Sequence, residues 1–185
     1  GNSVLGNIIG PQANGTSFIS SSVQDYGIMI FGSPNNIIGG SAAGARNIIS
    51  ANSTYGVTIN GVASTGNSVK GNYIGLDING TTFITSSAQD YGVRVEVSAA
   101  STTIGGTVAG EGNVISGNDV TGVYITSTAV AGNTVLGNII GPQANGTSYV
   151  TSTSQNEGIY INGSPNNIIG GGAAGARNII SANLD

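Results

Sequence analysis

The chain has 185 residues, 32 of them glycine, with four basic and eight acidic side chains and no histidine, cysteine or tryptophan. A net charge of −4 excludes the basic face of a nucleic-acid binder, and no apolar run approaches the ~20 residues of a membrane-spanning helix. Disulfides are excluded as well, and with 6% charged residues, against roughly 25% in ordinary domains, hydration falls to Asn, Ser and Thr.

In chain order, the first apolar signals are Val4 and Ile9, each two residues beyond an asparagine, Asn2 and Asn7. A Thr/Ser-rich insert follows over residues 11–26. Next comes Gly27-Ile28-Met29-Ile30, the first of five runs of the form G-[VI]-x-[VI]. Asn36-Ile37-Ile38, Asn47-Ile48-Ile49 and Gly56-Val57-Thr58-Ile59 repeat the same three signals. At Gly66 the opening GNSVLGN returns as GNSVKGN, and at Gly132 as GNTVLGN, a period of 65 to 66 residues. The copies are 1–65, 66–131 and an incomplete 132–185, forming one domain over 1–185. Copies one and three share GNIIGPQANGTS, GSPNNIIGG and AAGARNIISAN, which points to a longer unit of 131 residues.

Three short β-branched strands per coil, parted by Gly/Asn turns, predict an all-β fold: a right-handed parallel β-helix of about five and a half coils. Coils are expected ~4.8 Å apart, the spacing of paired strands. Period-2 alternation points Ile28/Ile30, Val57/Ile59, Val93/Val95, Val123/Ile125 and Ile159/Ile161 inward. Val4, Ile38, Val69, Ile104, Val135 and Ile169 form a second inward file, and Ile9, Ile49, Ile74, Ile115, Ile140 and Ile180 a third. Helix is disfavoured by the density of Gly and β-branched residues.

Two asparagine files accompany these strands. Asn2, Asn36, Asn67, Asn133 and Asn167 form one, with Thr102 substituting once. Asn7, Asn47, Asn72, Asn113, Asn138 and Asn178 form the other. Asparagine tolerates the left-handed backbone of a sharp corner and can bond its counterpart one coil away, so both read as structural ladders. Glycine beside the corners fits the same need for positive φ. The inserts 11–26, 76–91 and 142–157 enter every second coil. Their pairs Phe18-Ile19, Phe83-Ile84 and Tyr149-Val150 are expected to fold over the outward stripe Ile8, Ile48, Tyr73, Val114, Ile139 and Ile179.

Chemistry is sparse. Without His or Cys, most nucleophilic and transition-metal sites are excluded. Glycoside hydrolysis needs carboxylates ~5–9 Å apart, whereas Asp25, Asp77, Asp90, Asp119, Glu111 and Glu157 are expected in turns or inserts at different corners, with no carboxylate at the x position of a strand motif. Asp77-Ile78-Asn79-Gly80 has calcium-loop chemistry, but its counterparts Gln12-Ala13-Asn14-Gly15 and Gln143-Ala144-Asn145-Gly146 lack the acid, so it reads as a turn. No catalytic residue, cofactor or metal is expected. Arg94, Tyr124 and Tyr160 share one outward file, a stripe that either stacks internally or binds sugar rings. Arg46 and Arg177 read as solvated or paired with carbonyls. Sequons at Asn14, Asn52, Asn79, Asn145 and Asn162 are glycan acceptors in a eukaryotic secreted chain and plain turns in a bacterial one.

Asn72-Tyr73-Ile74-Gly75-Leu76-Asp77 with Asn79-Gly80-Thr81, then Thr103-Ile104-Gly105-Gly106 and Gly112-Asn113-Val114-Ile115-Ser116-Gly117-Asn118, resemble the parallel β-helix repeats of very large bacterial surface and secreted proteins. The resemblance covers essentially the whole chain. It implies secretion or display on the cell surface and a role as an extracellular structural repeat: a fibre, filament or adhesin stalk. The alternative is a glycan-binding or polysaccharide-degrading β-helix, since that fold hosts both. Both termini fall within a coil, so the expected partners are other copies or neighbouring repeats end to end, with cell-surface glycans as a further class. Neither nucleic acid nor membrane insertion is expected.

Overall fold

A computed structural model describes residues 1–20, 24–42, 44–84, 89–126, 132–150 and 155–184. The chain winds as a right-handed parallel β-helix, the hand that parallel crossovers favour. The first coil places β1 (Ser3–Val4), β2 (Ile8–Ile9) and β3 (Tyr26–Phe31). The second places β4 (Ile37–Gly39), β5 (Ile48–Ile49) and β6 (Tyr55–Asn60), and the third β7 (Ser68–Lys70), β8 (Tyr73–Ile74) and β9 (Tyr91–Glu96). Then follow β10 (Thr103–Gly105), β11 (Val114–Ile115) and β12 (Thr121–Thr126), and β13 (Thr134–Leu136), β14 (Ile139–Ile140) and β15 (Glu157–Asn162). β16 (Ile168–Ile169) and β17 (Ile179–Ile180) begin a sixth turn. Every third strand pairs in parallel, giving two six-stranded sheets and one of five.

Register is strict. Ile49 lies opposite Ile74, Ile38 opposite Val69, and Val93 opposite Val123. The inward files meet in one core, in which Ile38, Ile49, Ile74, Ile104, Ile115 and Ile140 are fully buried. Coil length alternates: successive members of the second asparagine file are 40, 25, 41, 25 and 40 residues apart. A coil with a long insert after its second-sheet strand is followed by one with a long arch between its first two strands. Two coils therefore make the repeating unit.

Both asparagine files are hydrogen-bonded ladders. In each rung the backbone N–H and Nδ2 of one asparagine donate to Oδ1 of the asparagine one coil higher, as from Asn72 to Asn113, both at 3.0 Å. In the second file Nδ2 also donates to the carbonyl of an inward strand residue one coil below: Asn72 to Ile38 at 3.0 Å and Asn113 to Val69 at 2.8 Å. The ladder asparagines do not themselves take the left-handed backbone. In the first file, their predecessors do: Asn35 at φ 58, Gly66 at φ 67, Ser101 at φ 52, Gly132 at φ 94 and Asn166 at φ 57. A ladder residue must project its amide along the axis, so the corner is turned one residue earlier.

The glycine of each G-[VI]-x-[VI] run is required for space, not for positive φ. A Cβ on Gly92 would lie 2.5 Å from Ile115 Cγ2 and 2.6 Å from the Gly122 carbonyl. At Gly75, by contrast, φ is +91 and a Cβ would fall 2.1 Å from the Ser116 carbonyl, so conformation and space both demand glycine.

The inserts build a second layer over the outward stripe. Leu76 pairs with Phe83, and Pro142 with Tyr149, in antiparallel bridges. Leu76, Val114 and Val150 form a small buried cluster flanked by Tyr73, Phe83, Ile139 and Ala144. Successive inserts join directly, Ile78 N–H to the Gly15 carbonyl at 2.9 Å and Ala144 N–H to that of Gly80 at 2.8 Å. The first insert departs from expectation: Ile19 is 56% exposed, whereas Ile84 is 4% and Val150 4%.

One rung is missing where Thr102 replaces asparagine. Its N–H still donates to Asn133 Oδ1 at 3.0 Å, but its fully buried Oγ1 has no partner, and Asn67 Nδ2 turns to the Ser33 carbonyl at 3.2 Å. Thr102→Asn completes the file. Two restored hydrogen bonds at about 0.5–1.5 kcal/mol each raise the unfolding free energy by roughly 1–3 kcal/mol, read by denaturant titration; an unchanged or lower midpoint contradicts the ladder's contribution.

Candidate functional site

The third sheet carries the longest strands and the expected stripe. Tyr124 lies opposite Tyr160 and Arg94 opposite Tyr124, with Thr58 and Met29 continuing the file. A second outward file, absent from the sequence reading, runs beside it: Tyr26, Tyr55, Tyr91, Thr121 and Glu157. Alternation predicts an inward side chain at these positions. It fails because the glycine that follows turns its own Cβ direction into the core, where a Cβ on Gly56 would meet Ile74 Cγ2 at 2.8 Å. The residue before the glycine is thereby thrown outward.

The two files join into one stack of five rings. Centroids are 5.1 Å apart for Tyr26–Tyr55, 5.5 Å for Tyr55–Tyr91, 5.6 Å for Tyr91–Tyr124 and 5.3 Å for Tyr124–Tyr160. Three of the four contacts are stacked, with interplanar angles of 26°, 21° and 11°; the step between files is tilted by 40°. Arg94 sits at that step. Its Cζ is 5.1, 5.2 and 5.3 Å from the rings of Tyr55, Tyr91 and Tyr124, within cation–π range. Its Nη1 donates to Tyr55 Oη at 2.6 Å and its Nη2 pairs with Glu96 at 2.7 Å. Glu96 also accepts Asn60 Nδ2 at 3.1 Å. Because the rings face one another, the flat surfaces a sugar ring would need are largely turned toward neighbouring tyrosines.

No carboxylate stands at the x position of a strand motif, but Glu157, expected in a turn or insert, opens β15, and Glu96 closes β9, because third-sheet strands run one residue beyond the G-[VI]-x-[VI] run at each end. Glu157 accepts Thr121 Oγ1 at 2.7 Å. Nor do all the acids lie at different corners, although Asp77 sits in an insert and Glu111 beside Lys70. Asp90 and Asp119 meet at the corner leading into the third sheet, where burial, then the Asp119 charge, pushes the Asp90 carboxyl up. One repeat below, Asp25 there accepts Ser53 Oγ at 2.6 Å.

The same corner holds a third amide ladder that sequence reasoning missed. Gln24, Asn52, Gln89, Asn118, Gln155 and Asn183 link side chain to side chain at 2.7, 3.0, 2.7, 3.0 and 2.6 Å. Residue type alternates because spacing does: Gln24, Gln89 and Gln155 precede their glycine by three residues, and Asn52 and Asn118 by four. The extra methylene of glutamine spans the missing residue. An amide three or four places before every third-sheet glycine was the available signal. Asn52 is fully buried within this ladder, so as a sequon it is closed to glycan attachment in the folded chain. Asn162 is exposed.

Other polar residues act locally. Arg46 Nε donates to the Gly71 carbonyl at 3.2 Å and its guanidinium lies 4.1 Å over the Tyr73 ring, while Arg177 is exposed. Lys70 and Glu111 pair at 2.9 Å, and that hydrogen bond holds the Glu111 carboxyl below its ordinary value. Asp77 Oδ1 accepts the Thr81 and Thr82 N–H groups at 2.9 and 3.2 Å, and Oδ2 accepts Asn79 Nδ2 at 3.0 Å. In the first insert Asn14 Oδ1 takes the equivalent Thr16 and Ser17 amides at 3.0 and 3.2 Å. Asp77 therefore closes a turn as Asn14 does, from two residues earlier. No protein-family model, curated protein or solved structure matches this chain.

Two titrations check this geometry. Burial raises the Tyr55 phenol above its ordinary value, while the Arg94 charge opposes the rise and Glu96 adds to it. Arg94→Met therefore moves the Tyr55 tyrosinate transition to higher pH and Glu96→Gln to lower pH, read by ultraviolet difference absorbance against Tyr55→Phe. Burial alone would raise Asp77, but hydrogen bonds from Thr81, Thr82 and Asn79 outweigh it and hold its carboxyl low. A carboxyl depressed by folding contributes stability that is full above its unfolded pKa and lost as pH falls through its folded one. Asp77→Asn flattens that acid limb in unfolding scans across the acidic range.

Proposed function

We propose that this chain is a segment of an extracellular shaft: a structural repeat of a fibre, filament or adhesin stalk on a microbial surface, of the kind found in large bacterial surface and secreted repeat proteins. One observation carries the reading. Three parallel sheets and three amide ladders all run along one axis, coil upon coil, with the same two-coil unit recurring. Extension along that axis loads many hydrogen bonds in parallel, and each added unit meets its predecessor through contacts already used within the chain. A low charge and a surface of Asn, Ser, Thr and Gly suit a secreted protein. The partners in this reading are further copies or neighbouring repeats end to end.

A glycan-processing reading draws on Asp90 and Asp119, where the Asp119 charge acts on the Asp90 carboxyl. The mutual stacking of the tyrosine rings supports it less than exposed ring faces would.

Negative-stain electron microscopy of the concentrated chain separates the two. The shaft reading expects linear particles lengthening with concentration, and no depolymerisation of acidic or neutral polysaccharides. Discrete monomers that cleave a polysaccharide, with activity lost in Asp119→Asn, would replace it with the enzymatic reading; retention on a glycan array abolished by Tyr160→Ala would favour a lectin-like one.

A further inference from the structure

We infer that the tyrosine stack is an oxidative cross-linking site, in which a one-electron oxidant couples Tyr124 to Tyr160, and Tyr26 to Tyr55, as dityrosine, stapling adjacent coils. This goes beyond the shaft reading and does not depend on it.

Composition makes tyrosine the natural target. The chain has no Cys, Trp or His and a single Met, so its seven tyrosines are the side chains most readily oxidised by one electron. Five of the seven stand in one stack; of the others, Tyr73 on β8 lies beneath Arg46 and Tyr149 projects from an insert, 67% exposed. Phenoxyl coupling is normally limited by the meeting of two radicals. Within the stack each ring already has a neighbour with its centroid 5.1–5.6 Å away, the pre-arranged encounter that gives intramolecular reactions their advantage.

The members are not equivalent. Arg94 places its positive charge against Tyr55, Tyr91 and Tyr124, disfavouring electron loss there. Tyr26 and Tyr160 lie outside the Arg94 contacts, so each gives up an electron more readily than the neighbour with which it couples, Tyr55 or Tyr124. The Tyr124–Tyr160 rings lie within 11° of parallel and outward on the sheet, so rotation about Cα–Cβ brings their edges together.

The chemistry balances as follows. Each phenol gives one electron to the oxidant and releases its hydroxyl proton. The two phenoxyl radicals combine, forming one carbon–carbon bond between ring positions ortho to the oxygens. The two ring hydrogens at those carbons leave as protons while the oxygens are reprotonated, restoring both phenols. Two tyrosines become one dityrosine, two electrons and two protons are lost, and two equivalents of a one-electron oxidant are reduced. A peroxidase-type or photochemically generated oxidant supplies that step.

The test is brief illumination of the dilute full chain with a ruthenium polypyridyl sensitiser and persulfate, followed by peptide mapping. The expected result is dityrosine fluorescence in a chain that remains monomeric under denaturing electrophoresis, lighter by two hydrogens per link, with the links mapped to 124–160 and 26–55. Tyr160→Phe keeps the ring stack and loses the first link alone. Tyr149→Phe leaves both unchanged. Chains joined only to one another, links running through Tyr149, or oxidised monomer without dityrosine while circular dichroism shows the β-helix intact would each overturn the proposal.

Discussion

Everything in this molecule depends on stacking in register: each coil lays its residues directly over their equivalents in the coil before. A residue's principal neighbour is therefore its own counterpart, and side-chain choice at one position is constrained by that same position elsewhere. Isoleucine over isoleucine fills the core, and amide over amide satisfies the corners. Few charged residues can occupy the files, because a repeated charge would stand about one strand spacing from its like. The 6% charged composition follows from that geometry.

Buried corners are the hard part of such a fold, since every turn of a coil exposes backbone polar groups that the core cannot hydrate. Amide side chains resolve this with one group that donates and accepts at once. Asn113 receives from Asn72, gives to Asn138 and reaches down to the Val69 carbonyl. The three files do this at three corners, and at the third the alternating use of Gln and Asn absorbs the alternating length of the turns. The Thr102 defect shows how local a lapse is: one hydroxyl is stranded, yet the strands on either side keep their pairing.

The inward files, the two asparagine ladders and the insert pairs Ile84 and Val150 were legible because one residue type recurs at one spacing. What escaped did so for identifiable reasons. The third ladder alternates residue type and spacing together, so no fixed motif marks it. Tyr26, Tyr55 and Tyr91 stand where simple alternation points inward, and only the close packing at the following glycine reverses them. Asp90 and Asp119 are far enough apart in sequence that their meeting depends on the short link after Ile115. Ile19 has the same sequence context as Ile84, and nothing in the structure explains why it remains exposed.

Because the linked ladder amides, Asn67 below the Thr102 gap excepted, offer their oxygen toward the first coil and their N–H toward the last, the bond dipoles along each file point the same way and add, as peptide dipoles do in an α-helix. The molecule thus has an electrical direction as well as a mechanical axis. An array with all members pointing alike would sum these dipoles, while neighbours laid side by side in opposite senses would cancel them.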